Sequence, residues 1–211
     1  MYDDFVFGKD VFLKTEHPIA VDSRDRWSPH EQPELYHGQP LSFMADFHSG
    51  EPFAAALLAL RPGKTRLLDL GTATGSVPLT MRLAGMRALG IDGLDNGKLG
   101  AIKPEMLRSD DHRSKFAWHV APEIVECCDI TYPFHVEDSG GQQIKFDYII
   151  STDCFEHLVT DRIPALVDNI YRNLADNGFG IFDINSGFFE DMHQTVKPSE
   201  WWREMFCKKF I

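Results

Sequence analysis

Ten consecutive residues constrain this chain more than any others. Leu67-Leu68-Asp69-Leu70 is a short, mostly apolar run that ends in a turn of small residues, Gly71-Thr72-Ala73-Thr74-Gly75, and passes through Ser76 into a helix-like segment. A strand covered on both faces needs such an apolar run. The turn lets the chain reverse at once: Gly71 can take a backbone angle that other residues resist, and Gly75 permits a close approach. Amide groups in the turn and at the helix start are expected to offer positive potential.

The surrounding pattern repeats this unit. Glu51 to Leu60 predicts a helix, with Ser49 as N-cap, Pro52 in the first turn and Pro62-Gly63 as the stop. Ser76 to Leu83 predicts a second helix and Ala88 to Asp92 a second strand. Ile124 to Cys128 and Phe146 to Ser151 predict the third and fourth strands. Ile163, Leu166, Val167, Ile170, Tyr171 and Leu174 recur at helical spacing, with Asn177-Gly178 expected as C-cap. Phe179 to Ile184 predicts a fifth strand, and Ser199 to Lys209 a last helix with Trp201, Trp202, Met205 and Phe206 on its apolar face. Alternating strands and helices imply an α/β fold, a Rossmann-like doubly wound, mostly parallel sheet with helices on both faces. Ligands of such sheets bind at the carboxyl ends of the strands. Residues 1–48 read as an N-terminal arm or cap and 49–211 as the main domain; residues 94–122 suit a loop insertion with one helix.

The turn does not fit two familiar phosphate-binding loops. The dinucleotide fingerprint needs glycine where this chain has Ala73 and Ser76, and no Gly-Lys-Ser/Thr follows for a Walker loop. An oxidoreductase on the same architecture is disfavoured on that ground. Asp69, Gly71, Ala73 and Gly75 instead resemble motif I of the class I S-adenosylmethionine-dependent methyltransferases, with alanine replacing the middle glycine.

Three further segments follow in the order that family shows. Asp92-Gly93, 21 positions after Gly71, resembles the acidic residue that accepts both ribose hydroxyls of the cofactor. Cys128-Asp129-Ile130, with Pro133-Phe134 beyond it, resembles the segment that meets the adenine ring. Phe146 to Leu158 resembles the fourth-strand motif; the likeness places Ser151 and Thr152 beside the methionine part, with Asp153 close by, and starts the next helix at Glu156-His157. The resemblance therefore implies S-adenosylmethionine as cofactor, held by Asp69, Gly71, Thr72, Ala73, Gly75, Asp92, Gly93, Asp129, Ile130, Ser151 and Thr152. Asp168-Asn169-Ile170, Asn173-Leu174, Gly178, His193 to Val196 and Trp201-Trp202 resemble a group of methyltransferases associated with phage and bacterial surface-glycan gene neighbourhoods. The family's sheet usually closes with an antiparallel hairpin, but the sequence stops at Phe210-Ile211, so either the hairpin is absent or the chain is a truncated form; without it an open edge on the fifth strand predicts a homodimer or low solubility.

Methyl transfer from a sulfonium needs alignment of the nucleophile and exclusion of water, and a base only if the acceptor must lose a proton. His193, His157 and Asp153 are the candidate catalytic residues. No metal set is expected, because His112, His119 and His135 lack ligand spacing. Aromatic and polar residues from Trp27 to His48 suggest a lid over the cofactor. The acceptor is expected to be a small molecule or glycan, methylated on O or N. A methyltransferase-like protein that binds without catalysis is the second reading.

Composition narrows the partners. Acidic residues outnumber basic ones by 32 to 21, a net charge of −11, which disfavours nucleic acid. No apolar run of ~18 residues suggests a membrane span. The start Met1-Tyr2-Asp3-Asp4 lacks signal-peptide character, and the four cysteines include no CxxC, so a cytoplasmic location with reduced thiols is expected.

Overall fold

The structure, a computed structural model, describes residues 11–15, 35–36, 39–40, 51–60, 63, 66–72, 75–93, 125–187 and 193–209. Ser49, Ala73, the 94–122 insertion and most of the expected lid lie outside the described residues. The elements are β1 (Val11–Thr15), β2 (Leu35–Tyr36), β3 (Gln39–Pro40), α1 (Glu51–Leu60), β4 (Arg66–Leu70), α2 (Ser76–Leu83) and β5 (Arg87–Asp92). There follow β6 (Val125–Cys127), β7 (Phe134–Asp138), β8 (Gln143–Ile144), β9 (Phe146–Thr152), α3 (Ile163–Asn173), β10 (Leu174–Asp183) and α4 (Ser199–Cys207).

Five strands form a parallel sheet in the order β10-β9-β4-β5-β6. Successive residues of a strand face opposite sides, and the core divides accordingly. Leu68, Leu70, Leu89, Ile91 and Ile149 join one cluster with Ile163, Leu166, Val167 and Ile170 of α3 and Trp202 of α4. Leu67, Ala88, Tyr148 and Ile150 join the other with Leu57 of α1 and Val77 and Met81 of α2. Full burial of each large aliphatic side chain contributes roughly 1.5–3 kcal/mol, so the two faces hold their helices independently. The expected doubly wound α/β fold is therefore the one observed. The chain winds outward from β4 through β5 to β6, then returns to β9 on the other side of β4. That reversal places a crevice at the carboxyl ends of β4 and β9.

Two asparagines on α3 tie the far side of the sheet together. Asn169 Nδ2 donates to the carbonyls of Ile130 (2.9 Å) and Tyr132 (2.7 Å), and Asn173 Nδ2 to that of Phe134 (3.1 Å). Arg162 donates to the Tyr132 hydroxyl at 2.7 Å and lies over its ring.

The structure departs from the sequence expectations in three places. Residues 11–15, expected only as part of the N-terminal arm, form a strand: β1 pairs antiparallel with β7, and β7 with β8, as a separate three-stranded sheet. The β7–β8 turn is closed by Asp138 Oδ1, which accepts from the amides of Gly140 and Gln142, both at 2.9 Å. Second, α3 stops at Asn173 and not at Asn177-Gly178; Leu174 is extended and buried, and starts β10. Gly178 falls where the register of β10 shifts against β9, between Leu174 and Phe179. Third, Glu156-His157 lie in a single 3-10 turn, Phe155–His157, and α3 begins only at Ile163. Among the described residues, β10 pairs with β9 alone and no helix is long and apolar enough to cross a membrane.

Candidate active site

The turn after β4 is held by the protein itself. Gly71 N–H and Thr72 N–H both donate to the Ile91 carbonyl, at 2.8 and 3.1 Å, and Gly75 N–H donates to the Thr72 carbonyl at 2.9 Å. These three amides are therefore spent on the fold, and those of Ala73 and Thr74 lie outside the described residues. Gly71 has φ 75, and a Cβ on it would lie 2.2 Å from Cys154 Sγ. The glycine serves a left-handed backbone and a close packing contact at once. Gly75, with φ 72, caps the start of α2.

The acids gather at the strand ends beside this turn. Asp69, on β4, and Asp92, ending β5, are 3% and 6% exposed. Burial pushes the Asp69 carboxyl up to about 7; the nearby Thr72 hydroxyl tempers the rise without closing a hydrogen bond of standard geometry, and the Asp92 charge adds to it. Gly93 follows Asp92 in a bend and is half-buried. The segment after β6 docks on the same edge, with Cys128 N–H donating to the Asp92 carbonyl at 3.0 Å. There Asp129 is buried, and its Oδ1 accepts from the amide (2.8 Å) and hydroxyl (2.6 Å) of Thr131. Ile130 is buried too. Ser151 donates its hydroxyl to the Leu70 carbonyl at 2.7 Å, stitching β9 to β4 at the crevice. Thr152 ends β9, half-buried.

Beyond β9 the backbone is strained. Asp153 has φ 46, a left-handed conformation uncommon outside glycine, and its N–H donates to the Asp183 carbonyl at 3.1 Å. Cys154 is buried, and burial with the charges of Asp92 and Glu156 pushes its thiol well above the ordinary range, so it serves as packing rather than nucleophile.

The 3-10 turn then presents Glu156, fully buried, and His157, 7% exposed. The His157 and His193 rings meet edge to face with centroids 4.8 Å apart. The structure thus joins two of the expected catalytic residues that the sequence separates widely, and Asp153 stands close enough to raise the Glu156 carboxyl. Burial is the main cause of that rise, to about 7; hydrogen bonds from the amides of Glu156 itself and Asn185 oppose it, and Asp153 and Asp183 add to it. Glu156 and Cys154 were not among the expected site residues. Their signal was adjacency: both flank Phe155 in the fourth-strand motif.

A protein-family model described as a methyltransferase domain matches residues 44–207. Similar solved structures include an amino pentose methyltransferase, CalS10, from Micromonospora echinaspora, with 21% identity and TM-score 0.47; the match covers 72% of this chain and 56% of that one. A TehB-like methyltransferase from Corynebacterium glutamicum has 21% identity and TM-score 0.47, covering 75% of this chain and 71% of that one. TehB from Haemophilus influenzae has 16% identity and TM-score 0.49, covering 74% of this chain and 49% of that one. The chain therefore spans less than two thirds of the first and third of these. No curated protein matches it. With nearly the whole of the described sheet and its helices inside the matched region, the chain belongs to the methyltransferase-domain family, whose enzymes draw their methyl group from S-adenosylmethionine.

Proposed function

We propose that this chain transfers a methyl group from S-adenosylmethionine to O or N of a small-molecule or glycan acceptor. The observation that carries the reading is the pair of buried acids, Asp69 and Asp92, at adjacent strand ends beside the Gly71–Gly75 turn. Two like charges out of water favour a cation between them and the solvent. S-adenosylmethionine is cationic at its sulfonium and its amino group, and its ribose offers two hydroxyl donors. The chemistry of the donor set therefore fits the group.

When bound, the cofactor supplies the electrophilic methyl. Asp92 would accept from the ribose hydroxyls, with Gly93 beside it. Asp129 and Ile130 would flank the base. Asp69, Thr72, Ser151 and Thr152 would border the methionine part, and the small residues Gly71, Ala73 and Gly75 would leave room for it. His193, His157 and Asp153 stand at the acceptor end. There they orient the nucleophile and take its proton where it has one to lose. His193 is suited to this: its Nδ1 lies 2.7 Å from the Gly187 carbonyl. A carbonyl only accepts, so Nδ1 carries the proton and the neutral ring keeps its lone pair on Nε2. The net charge of −11 favours an acceptor that is not a polyanion.

Calorimetry with S-adenosylmethionine and S-adenosylhomocysteine tests the reading. Wild-type chain is expected to bind both, and Asp92→Ala to lose at least tenfold in affinity. A folded wild-type chain that binds neither would overturn it. Release of S-adenosylhomocysteine with a panel of sugars and small amines then separates catalysis from binding alone.

A further inference from the structure

We propose that Glu156, His157 and His193 form a binding site for a first-row divalent transition-metal cation at the acceptor end of the crevice. One ligand atom from each residue lies within 4.8 Å of the others. Such a cluster alone is weak, but three further features of the structure point the same way.

The first is an orphaned oxygen. Glu156 is fully buried, its Oε1 accepts from the Asn185 amide at 3.0 Å, and its Oε2 has no hydrogen-bond partner among the described residues. A buried carboxylate oxygen left without a donor costs about 1–3 kcal/mol or more, and a cation would satisfy it.

The second is the orientation of His193. Its Nδ1–H donates to the Gly187 carbonyl at 2.7 Å, so in the neutral ring Nε2 is the nitrogen that carries the lone pair. Metal-bound imidazoles almost always use their second nitrogen in this way, because the bond fixes the tautomer and the ring plane.

The third is preorganisation. The segment carrying His193 is pinned to the turn carrying Glu156 and His157. Gln194 and Thr195 donate their amides to the Glu156 carbonyl at 2.8 and 2.9 Å, and the Thr195 hydroxyl bonds the Leu158 carbonyl at 2.6 Å. Thr195 is fully buried. The three ligands thus belong to one locked unit although His193 lies 36 positions beyond the adjacent pair Glu156-His157. Ligands so assembled leave no local spacing in the sequence, which is also lacking at His112, His119 and His135.

One carboxylate and two imidazoles suit Mn²⁺, Fe²⁺, Co²⁺ or Zn²⁺ better than Ca²⁺, which prefers six to eight oxygens. Three protein ligands leave positions open for an acceptor oxygen. With an ion in place, His157 and His193 act as ligands rather than bases, and the cation lowers the pKa of a bound hydroxyl. That role rests on the proposed methyl transfer; the site itself does not.

The test uses the full chain without a purification tag, freed of metal by a chelator. Mn²⁺ and Zn²⁺ are titrated by calorimetry, and Co²⁺ by its visible spectrum. One ion per chain is expected for each, with Co²⁺ bands typical of mixed nitrogen and oxygen ligands. His193→Ala is expected to weaken binding at least tenfold, and its melting curve and circular dichroism show whether it is folded. Should His193→Ala not fold, His193→Gln serves in its place. His135→Ala removes a histidine bonded to Glu137 on β7, away from the site, and is expected to bind as wild type. No ion bound by wild type, equal affinity in the folded His193 variant, or loss in His135→Ala overturns the proposal. S-adenosylhomocysteine is titrated separately in chelator. Metal binding without it would leave this site standing and sink the proposed function; the converse would do the reverse.

Discussion

The turn after β4 and the cluster beyond β9 border the same crevice and are built in opposite ways. The first is local: a strand, a tight turn and a helix in consecutive residues, with the amides of Gly71, Thr72 and Gly75 consumed by the carbonyls of Ile91 and Thr72. Its precision comes from absence of side chain, at Gly71 and at Gly90, where Thr72 packs so close that a Cβ would lie 2.5 Å from its Cγ2. The second is assembled from distant segments, with side chains and hydrogen bonds supplying the precision. A backbone-built half tolerates no added atom, whereas a side-chain-built half tolerates substitution and loses function first. Substitutions at each half break or sharpen this contrast.

The largest effect is expected at Gly71. Gly71→Ala combines a left-handed backbone, at roughly 1–2 kcal/mol, with a collision against Cys154, and is expected to lose more than ~5 kcal/mol in chemical denaturation. Adding Cys154→Gly removes the collision but not the backbone term, so the double variant should recover part of the loss. Gly85 is the control: it has φ 90 but nothing within 4 Å of a Cβ, and Gly85→Ala should cost only about 1–2 kcal/mol. Equal losses at the two glycines would show that packing on Cys154 contributes nothing.

Asp69 comes next. Its folded pKa, about 7, lies above the ordinary value of 3.8. Between those values the folded chain keeps a proton that the unfolded chain has shed, so stability from this group falls as pH rises through the window and levels off above about 7. The full span is on the order of 4 kcal/mol, at 1.36 kcal/mol per unit. Asp69→Asn should flatten that slope in denaturation curves taken from pH 4 to 8. A cationic cofactor draws the proton off, so its affinity for wild type should rise from pH 6 to 8 and that of the variant should not.

On the far side, Asn169→Ala removes two hydrogen bonds to the segment after β6 and is expected to cost about 2–3 kcal/mol. Because that segment carries Asp129 and Ile130, cofactor affinity should fall with it. An unchanged affinity in a destabilised protein would uncouple the clamp from the site.

The smallest expected effect concerns association. β10 exposes Phe179 at 40% and, among the described residues, has one neighbouring strand. Sedimentation is expected to show a dimer that Phe179→Lys weakens; a wild-type monomer at all concentrations would contradict it.

The contrast between the two halves also explains what the sequence made legible. The central parallel strands were readable because β4, β5 and β9 are buried along most of their length and announce themselves as apolar runs, as in Phe146 to Ser151. Asp69, Asp92 and Asp129 were readable because each follows such a run directly. β7 and β8 were missed because they are short and half-exposed, although Asp138-Ser139-Gly140-Gly141 is a turn signal in its own right. β1 was missed because five residues carry no partner's address. Most important, the contact of His157 with His193 depends on Gln194 and Thr195 finding the Glu156 carbonyl, and a backbone acceptor leaves no trace in sequence.

The small sheet has a consequence in time. β1 pairs with β7, and Thr15 Oγ1 bonds the Pro133 carbonyl across 118 positions. During synthesis β1 leaves the ribosome before β7, whose first residues follow it by 118 positions or more. Closing so long a loop has to wait for the β7–β8 hairpin, which needs only local contacts. β1 is therefore the last strand of its sheet to dock and the first to detach, and its amides should exchange with solvent well before those of β4.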